Sequence, residues 1–290
     1  MEPGAVIIAI LAMVGLGTGL ATILAIANHR LYVFVDPRIS QVESMLPGSN
    51  CGACGQPGCS ALAEKLVEGE AAPGQCTPSS EENREAIAEM LGVDVGGDEK
   101  KVARLACAGG SHVARQRARY AGLATCRAAD LVAGGGKGCA WGCLGHGDCD
   151  EVCQFGAITM DAFGLPQVNE ALCTACGDCV DICPRGLFSL QPESHHLWVA
   201  CQNLSFGDEA ESECSVACTA CGLCAQDAPE NLIRMVENLA VVDYGKNNLA
   251  TEHIIQRCPT GAIVWLGSGG KMIKGAKAKK PTRHTALPIG

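Results

Sequence analysis

The sequence predicts an α+β fold with one N-terminal transmembrane helix, a small mostly helical domain and two tandem units with short strands. Three observations predict this architecture. Residues 5–27 are 23 consecutive residues without a charge. The 290-residue chain carries 20 cysteines but only 4% aromatic residues, so aromatic side chains do not build one large core. Beyond residue 102, short apolar and β-prone segments alternate with cysteine-rich loops.

The uncharged segment is long enough to cross a membrane. At about 1.5 Å per residue it spans roughly 35 Å, against a hydrocarbon thickness of about 30 Å. A cleaved signal peptide is the alternative, because residues 25–27 resemble a cleavage site, but no Lys or Arg precedes the segment. Glu2 precedes it, and Arg30 and Arg38 follow it. The positive-inside rule therefore predicts a single pass through the inner (cytoplasmic) membrane, with every cysteine on the cytoplasmic side.

This predicted location decides how the cysteines are interpreted. A reducing compartment disfavours disulfides and leaves metal binding as the main role for so many thiols. The net charge of −9 lacks the basic balance of a nucleic-acid-binding protein. The glycine-rich residues 134–138 lack the strand and helix context of a phosphate-binding loop. We therefore predict no nucleic-acid partner, and no flavin or nicotinamide site in this chain.

The most specific motif has the spacing Cys173-x2-Cys176-x2-Cys179-x3-Cys183-Pro184. This is the bacterial ferredoxin pattern, in which three thiolates bind one [4Fe–4S] cluster and the fourth binds its neighbour. Zinc is the alternative, because C-x2-C pairs also suit tetrahedral Zn²⁺. Zinc ribbons use two separated pairs, however, so the three evenly spaced cysteines favour iron–sulfur clusters.

The partner half of this motif has stretched loops, with the spacing Cys139-x3-Cys143-x5-Cys149-x3-Cys153. Ligation that crosses between the two halves predicts two sets of four thiolates. The first set is Cys139, Cys143, Cys149 and Cys183. The second set is Cys173, Cys176, Cys179 and Cys153.

A second unit repeats the pattern but retains only half of it. Crossed ligation assigns its remaining cysteines to one cluster. These cysteines are Cys218, Cys221, Cys224 and Cys258. The slots of the sister site hold other residues, namely Ala228, Asn248, Thr251 and Ile254. One site is thus complete and the other wholly absent, which supports the crossed assignment.

The repeated segments also predict secondary structure. Similar segments begin at residues 153, 183, 228 and 258, and each ends in a β-prone stretch. The expected strands cover residues 158–160, 188–190, 233–235 and 263–265.

A different spacing, Cys51-x2-Cys54-x4-Cys59-x16-Cys76, lies nearest the predicted membrane helix. Glycines between and after the first cysteines allow turns whose backbone N–H groups stabilise cluster sulfurs. We predict a further [4Fe–4S] site here, with zinc as the alternative.

Four cysteines remain, and each of two pairs precedes one ferredoxin-like unit. They are Cys107, Cys126, Cys201 and Cys214. Together they form a candidate fifth cluster site, and the alternatives are buried free thiols or two disulfides. The sequence thus predicts four or five [4Fe–4S] clusters and no other catalytic residues.

These motifs divide the chain into five segments. The predicted segments are a transmembrane anchor (1–28), a four-cysteine [4Fe–4S] domain (29–97), a ferredoxin-like unit with two clusters (98–192), a degenerate ferredoxin-like unit with one cluster (193–266) and a basic disordered tail (267–290). In the four-cysteine domain, helices are expected near Ser60 and from Ser79, where Ser79 and Glu82 form a capping box.

The combination of the membrane helix, the motif from Asn50 to Cys76 and the ferredoxin repeats resembles the B subunit of the Rnf complex. The resemblance covers residues 1–266 and departs from the fullest pattern at 228 and 248–254, where cysteines are missing. That family is a membrane-bound, ion-translocating ferredoxin:NAD oxidoreductase. The resemblance implies an electron-transfer subunit that takes electrons from soluble ferredoxin and passes them to membrane, flavin-bearing and NAD-binding partner subunits. The alternatives are an electron relay of another membrane redox complex and a zinc-binding membrane scaffold.

Overall fold

The computed structural model describes residues 3–31, 36–97, 99–280, 287 and 289. Helix α1 spans Pro3–Leu31. Its segment Ile10–Leu31 has a mean hydropathy of 2.2, and none of that segment is buried against the rest of the protein. A helix that is apolar on every side and packs against no protein suits a hydrocarbon environment. Glu2, on which the predicted orientation partly depends, lies outside the described residues.

The domain that follows α1 is helical and surrounds the first four cysteines. It consists of α2 (Pro37–Met45), α3 (Cys59–Glu68), a 3₁₀ turn (Pro73–Gln75) and α4 (Glu81–Leu91). Val42, Leu62, Leu66 and Ile87 form its buried centre. The predicted capping box is wrong by one residue, because the Ser80 hydroxyl, not that of Ser79, caps α4 by accepting a hydrogen bond from the Asn83 N–H.

The first ferredoxin-like unit contains two antiparallel strand pairs. Its elements are β1 (Lys101–Leu105), α5 (Cys126–Leu131), a 3₁₀ segment (Ala133–Gly136), α6 (Asp148–Glu151), β2 (Ile158–Met160), β3 (Pro166–Val168), α7 (Asp178–Ile182) and β4 (Phe188–Pro192). Strand β1 pairs with β4, and β2 pairs with β3. The first strand therefore closes on the last, and a hairpin lies between them.

The second unit repeats this topology. Its elements are β5 (Leu197–Val199), α8 (Gly207–Glu213), α9 (Leu223–Asp227), β6 (Ile233–Val236), β7 (Leu239–Val242), 3₁₀ segments (Tyr244–Leu249 and Glu252–Ile255), β8 (Ile263–Leu266), a 3₁₀ turn (Ser268–Gly270) and β9 (Met272–Lys274). Strand β5 pairs with β8, and β6 pairs with β7. All four strands predicted from the repeat are present, as β2, β4, β6 and β8.

The predicted disordered tail is wrong for residues 268–280. Strand β9 adds to the free edge of β8. Beyond it, the Lys277 N–H donates to the Gln256 carbonyl oxygen at 3.0 Å, and the Lys279 N–H donates to that of Pro259 at 3.0 Å. The open edge of β8 offers unpaired backbone groups, and the short apolar stretch around Ile273 satisfies them. Residues 281–286, 288 and 290 of the predicted tail lie outside the described residues.

Candidate iron–sulfur centres

All 20 cysteines lie within the described residues, and all are free thiols. Cys221 is exposed, and the others are buried or half-buried. Among the described residues, no three or more His, Cys, Asp or Glu side chains are arranged to hold a single metal ion. A [4Fe–4S] cluster binds its thiolates through four separate irons, so its ligands stand further apart than those around one tetrahedral Zn²⁺.

The four cysteines of the helical domain share one space. Cys59 begins α3, and its N–H donates to Asn50 Oδ1 at 2.8 Å, which fixes the loop that carries Cys51 and Cys54. Burial raises the pKa of the Cys76 thiol to about 11, and the charges of the other three thiols act in the same direction. Each sulfur is therefore close enough to oppose ionisation of its neighbours in the absence of a bound cation.

The structure also brings together Cys153, Cys173, Cys176 and Cys179. Burial raises the pKa of the Cys179 thiol to about 12, and the charges of the other three act in the same direction. The Cys173 sulfur accepts a hydrogen bond from the Ala103 N–H of β1 at 3.4 Å. This group of thiols comes from both halves of the unit, as crossed ligation requires.

The helical domain contacts the first ferredoxin-like unit beside these two sites. The Thr77 hydroxyl donates a hydrogen bond to the Thr174 carbonyl oxygen. Thr77 follows Cys76, and Thr174 follows Cys173. The contact therefore places the loops of two candidate clusters side by side.

In the second unit, one group of four thiols lines a cavity of about 360 Å³. The cysteines are Cys218, Cys221, Cys224 and Cys258. Burial raises the pKa of the Cys224 thiol to about 12, with the charges of the other three acting in the same direction. The sister position is filled instead by side chains, because Ile254 is fully buried in the apolar core of this unit.

The remaining eight cysteines form two further groups, and these differ from the predicted groups in one thiol each. One cavity, of about 340 Å³, is lined by Cys126, Cys143, Cys149 and Cys183. Another, of about 320 Å³, is lined by Cys107, Cys139, Cys201 and Cys214. The predicted groups placed Cys139 with Cys143 and placed Cys126 with Cys107. The structure exchanges Cys126 and Cys139.

The sequence contains a signal for this exchange. The spacing Cys139-x3-Cys143 recurs in the second unit as Cys214-x3-Cys218. Cys139 and Cys214 are therefore equivalent positions that precede the cluster-binding loop of each unit. The spacing of the loop itself begins at Cys143, with His146 in the slot of the second cysteine.

Backbone and side-chain groups surround the sulfurs of the cavity lined by Cys107. Lys137 lies in its wall and donates from Nζ to the carbonyl oxygens of Gly109 and Cys143, at 2.6 and 2.5 Å. Burial raises the pKa of the Cys214 thiol to about 11. A buried thiol is therefore a poor anion alone, whereas a cluster with its irons, N–H donors and a nearby ammonium stabilises the thiolate.

Comparisons with known proteins match these sites. The FeS family model, which describes an Fe-S cluster, matches residues 46–78, and the 4Fe-4S dicluster domain model matches residues 141–187. Three relatives match most of the chain. They are the B subunits of the Na(+)-translocating ferredoxin:NAD(+) oxidoreductase complex of Acetobacterium woodii (41% identity over 88% of this chain and 76% of the relative), of the ion-translocating oxidoreductase complex of Methanosarcina acetivorans (36%, 88% and 96%) and of the proton-translocating ferredoxin:NAD(+) oxidoreductase complex of Clostridium ljungdahlii (37%, 91% and 93%).

These similarities each cover 88% or more of the chain. They confirm the resemblance drawn from the cysteine spacing. The mixed helix and strand fold with its apolar N-terminal helix agrees with the predicted class. The chain belongs to the family of B subunits of ion-translocating ferredoxin:NAD oxidoreductase (Rnf) complexes, and it is an iron–sulfur electron-transfer subunit.

Proposed function

We propose that this chain passes single electrons from a soluble reduced ferredoxin to flavin-bearing and NAD-binding subunits of its complex. The observation that carries the proposal is the gathering of cysteines into groups of four, in adjoining units that follow one apolar helix. The ferredoxin and NAD⁺ named for the relatives support the choice of donor and acceptor.

The helix α1 anchors the chain in this proposal as a single pass, with the cysteine domains on the cytoplasmic side. Arg30 and Arg38 lie at the end of α1 that faces those domains. The positive-inside rule favours this orientation. It also places the clusters where a soluble ferredoxin can reach them.

The chain's contribution is to hold and insulate the clusters. A bound [4Fe–4S] cluster supplies reversible one-electron storage. The cysteines hold it, apolar residues such as Phe188 and Ile263 exclude water from the cavities, and backbone N–H groups near the sulfurs stabilise the reduced, more negative state. We propose three ligand sets on this basis. They are Cys51, Cys54, Cys59 and Cys76; Cys153, Cys173, Cys176 and Cys179; and Cys218, Cys221, Cys224 and Cys258.

The test compares Cys176→Ser with Ala171→Ser in the intact complex. Ala171 is exposed and close to the same loop, so its substitution adds the same hydroxyl without removing a thiol. We expect Cys176→Ser to lose an electron paramagnetic resonance signal of reduced [4Fe–4S] clusters. Ferredoxin-dependent NAD⁺ reduction is expected to fall at least about tenfold, and Ala171→Ser is expected to match the wild type.

Two outcomes would overturn the proposal. Wild-type complex that contains zinc in place of iron would favour the membrane scaffold. Wild-type complex with iron–sulfur signals but no ferredoxin-dependent NAD⁺ reduction would favour a relay in another membrane redox system.

A further inference from the structure

The geometry points to a [4Fe–4S] cluster that bridges the two ferredoxin-like units, with two ligands from each. A second ligand change accompanies it, since Cys126 completes the site of Cys143, Cys149 and Cys183. The bridging ligands are Cys107, Cys139, Cys201 and Cys214. This inference rests on the proposed function, in that it assigns ligands and a position within the same relay.

The four bridging thiols surround one enclosed space. Each of the four is less than a tenth exposed. The space of about 320 Å³ is close in volume to the other two cysteine-lined cavities, at about 340 and 360 Å³. Gly109 lies at its wall, where an added Cβ would be 3.1 Å from Cys214 Sγ and 3.6 Å from Cys107 Sγ. The backbone thus approaches two sulfurs, one from each unit, where a side chain would crowd them.

The hydrogen bonds to the sulfurs show that the site is pseudo-symmetric. Cys107 lies two residues after β1, and its sulfur accepts from the N–H groups of Gly109 and Cys143, both at 3.4 Å. Cys201 lies two residues after β5, and its sulfur accepts from the N–H groups of Asn203 and Cys218, both at 3.3 Å.

Cys139 and Cys214 extend this symmetry. Each lies four residues before the first cysteine of its unit's cluster-binding loop. Both line the cavity that Cys107 and Cys201 share. Each unit therefore offers the same two thiols to the shared site.

The exchange leaves the Cys143 loop without a second cysteine, yet the loop keeps the backbone of a cluster-binding loop. Gly145 and Gly147 have φ of +77° and +85°. The corresponding residues have φ of +58° and +95° in the Cys173 loop (Ala175 and Gly177), and +57° and +71° in the Cys218 loop (Ala220 and Gly222). Alanine rarely adopts positive φ, so its occurrence at the same place in two loops marks a conformation that the loop requires.

Cys126 occupies the position that the missing cysteine leaves. Its N–H donates to Asp148 Oδ1 at 2.7 Å, and backbone N–H groups of Asp148, His146 and Gly147 point to its thiol. The His146 ring packs edge-on against Tyr120, with ring centroids 5.5 Å apart. A thiol from the start of α5 thus stands over the loop, next to Cys143 and Cys149.

The bridging position has a consequence for the electron route. The second unit has one cluster site and lacks its sister, because Ile254 fills that slot. The bridging site supplies the missing neighbour. Through the Cys143 and Cys218 N–H groups, it is one hydrogen bond from a ligand of each flanking cluster. An electron can therefore pass from one unit to the other through closely spaced clusters.

Two double variants in the intact complex test the ligand assignment by iron analysis. Cys107→Ser with Cys139→Ser removes two ligands of one cluster, so we expect a loss of about four iron atoms per complex. Cys107→Ser with Cys126→Ser removes one ligand from each of two clusters, so we expect a loss of about eight. The reverse result would restore the grouping expected from the sequence and overturn the inference. Unchanged iron in Cys107→Ser alone would exclude a bridging cluster altogether.

A rescue experiment guards against variants that fail to fold. Adding His146→Cys to Cys126→Ser recreates the ferredoxin spacing in the Cys143 loop, so we expect the lost iron and its resonance signal to return. His146→Ser added to Cys126→Ser is the matched control and is expected to restore neither. Failure of His146→Cys to restore iron overturns the role of Cys126. Failure of the proposed function is distinguished from all these outcomes by a wild-type complex without iron–sulfur signals.

Discussion

The two ferredoxin-like units share one strand topology but differ in what fills their centres. In the first unit, the buried cluster around the strands is small, and two of its five residues are cysteines. These residues are Ala103, Cys149, Ile158, Cys179 and Phe188. In the second unit the buried core is larger and mostly aliphatic, with Leu197, Leu232, Ile254, Ile255 and Ile263 among its members.

This difference shows two ways to fill the same space. Where the first unit has Cys179 in its second cluster-binding loop, the equivalent position in the second unit is Ile254, which is fully buried. Hydrocarbon packing there takes the place of metal–thiolate bonds. The first unit should therefore depend on its clusters for folding, as small metal-binding domains do, and the second should depend on them less.

Removal of iron should expose this difference most strongly. After treatment of the complex with a chelator and an oxidant, we expect amide hydrogen exchange in β1 and β4 to rise by about a hundredfold or more. Exchange in β6 and β7 should rise less than about tenfold, because the aliphatic core remains. Hydrogen exchange with mass spectrometry measures both regions in one sample, and untreated complex is the control. Equal loss of protection in the two units would contradict this account of their cores.

Ile254→Ala tests the second unit in the opposite way. A fully buried isoleucine that is cut to alanine leaves a cavity and costs about 2–5 kcal/mol in the free energy of unfolding. Leu249 is 40% exposed, so Leu249→Ala should cost less than about 1 kcal/mol. Denaturant titration followed by hydrogen exchange in β6 and β7 measures both. A cost for Ile254→Ala no larger than for Leu249→Ala would show that this slot is not part of the stabilising core.

The comparison also explains what the sequence could predict. The four strands after the repeated segments follow from local patterns of apolar residues, and all four are present. The thiol groups built around a tight ferredoxin loop follow from spacing alone. The partners of Cys126 and Cys139 do not, because they depend on how two units pack and on a thiol that approaches a loop from α5, 20 residues before His146 in the chain. A repeated Cys-x3-Cys spacing was the available signal.

The errors at the helix start and in the C-terminal segment have a similar cause. The capping site of α4 differs by one residue because Ser79 and Ser80 are adjacent, and either hydroxyl suits a helix start. The basic composition after residue 267 predicts a solvated tail, but composition does not reveal that β8 has an open edge. Pairing of β9 with that edge is a tertiary effect, and it has no counterpart on β4 among the described residues.

The smallest expected effect concerns this added segment, which belongs to the second unit alone. Lys279 pairs with Glu211 of α8, and its side chain is 62% exposed. An exposed ion pair gains little in water and is weakened further by salt, so Lys279→Ala should change the free energy of unfolding by no more than about 0.5 kcal/mol. The backbone N–H of residue 279 still donates to the Pro259 carbonyl oxygen in this variant, so the segment should stay docked. Hydrogen exchange of β9 measures this directly. A loss of protection in β9 on the scale of Ile254→Ala would show that the ion pair, not the strand pairing, holds the segment in place.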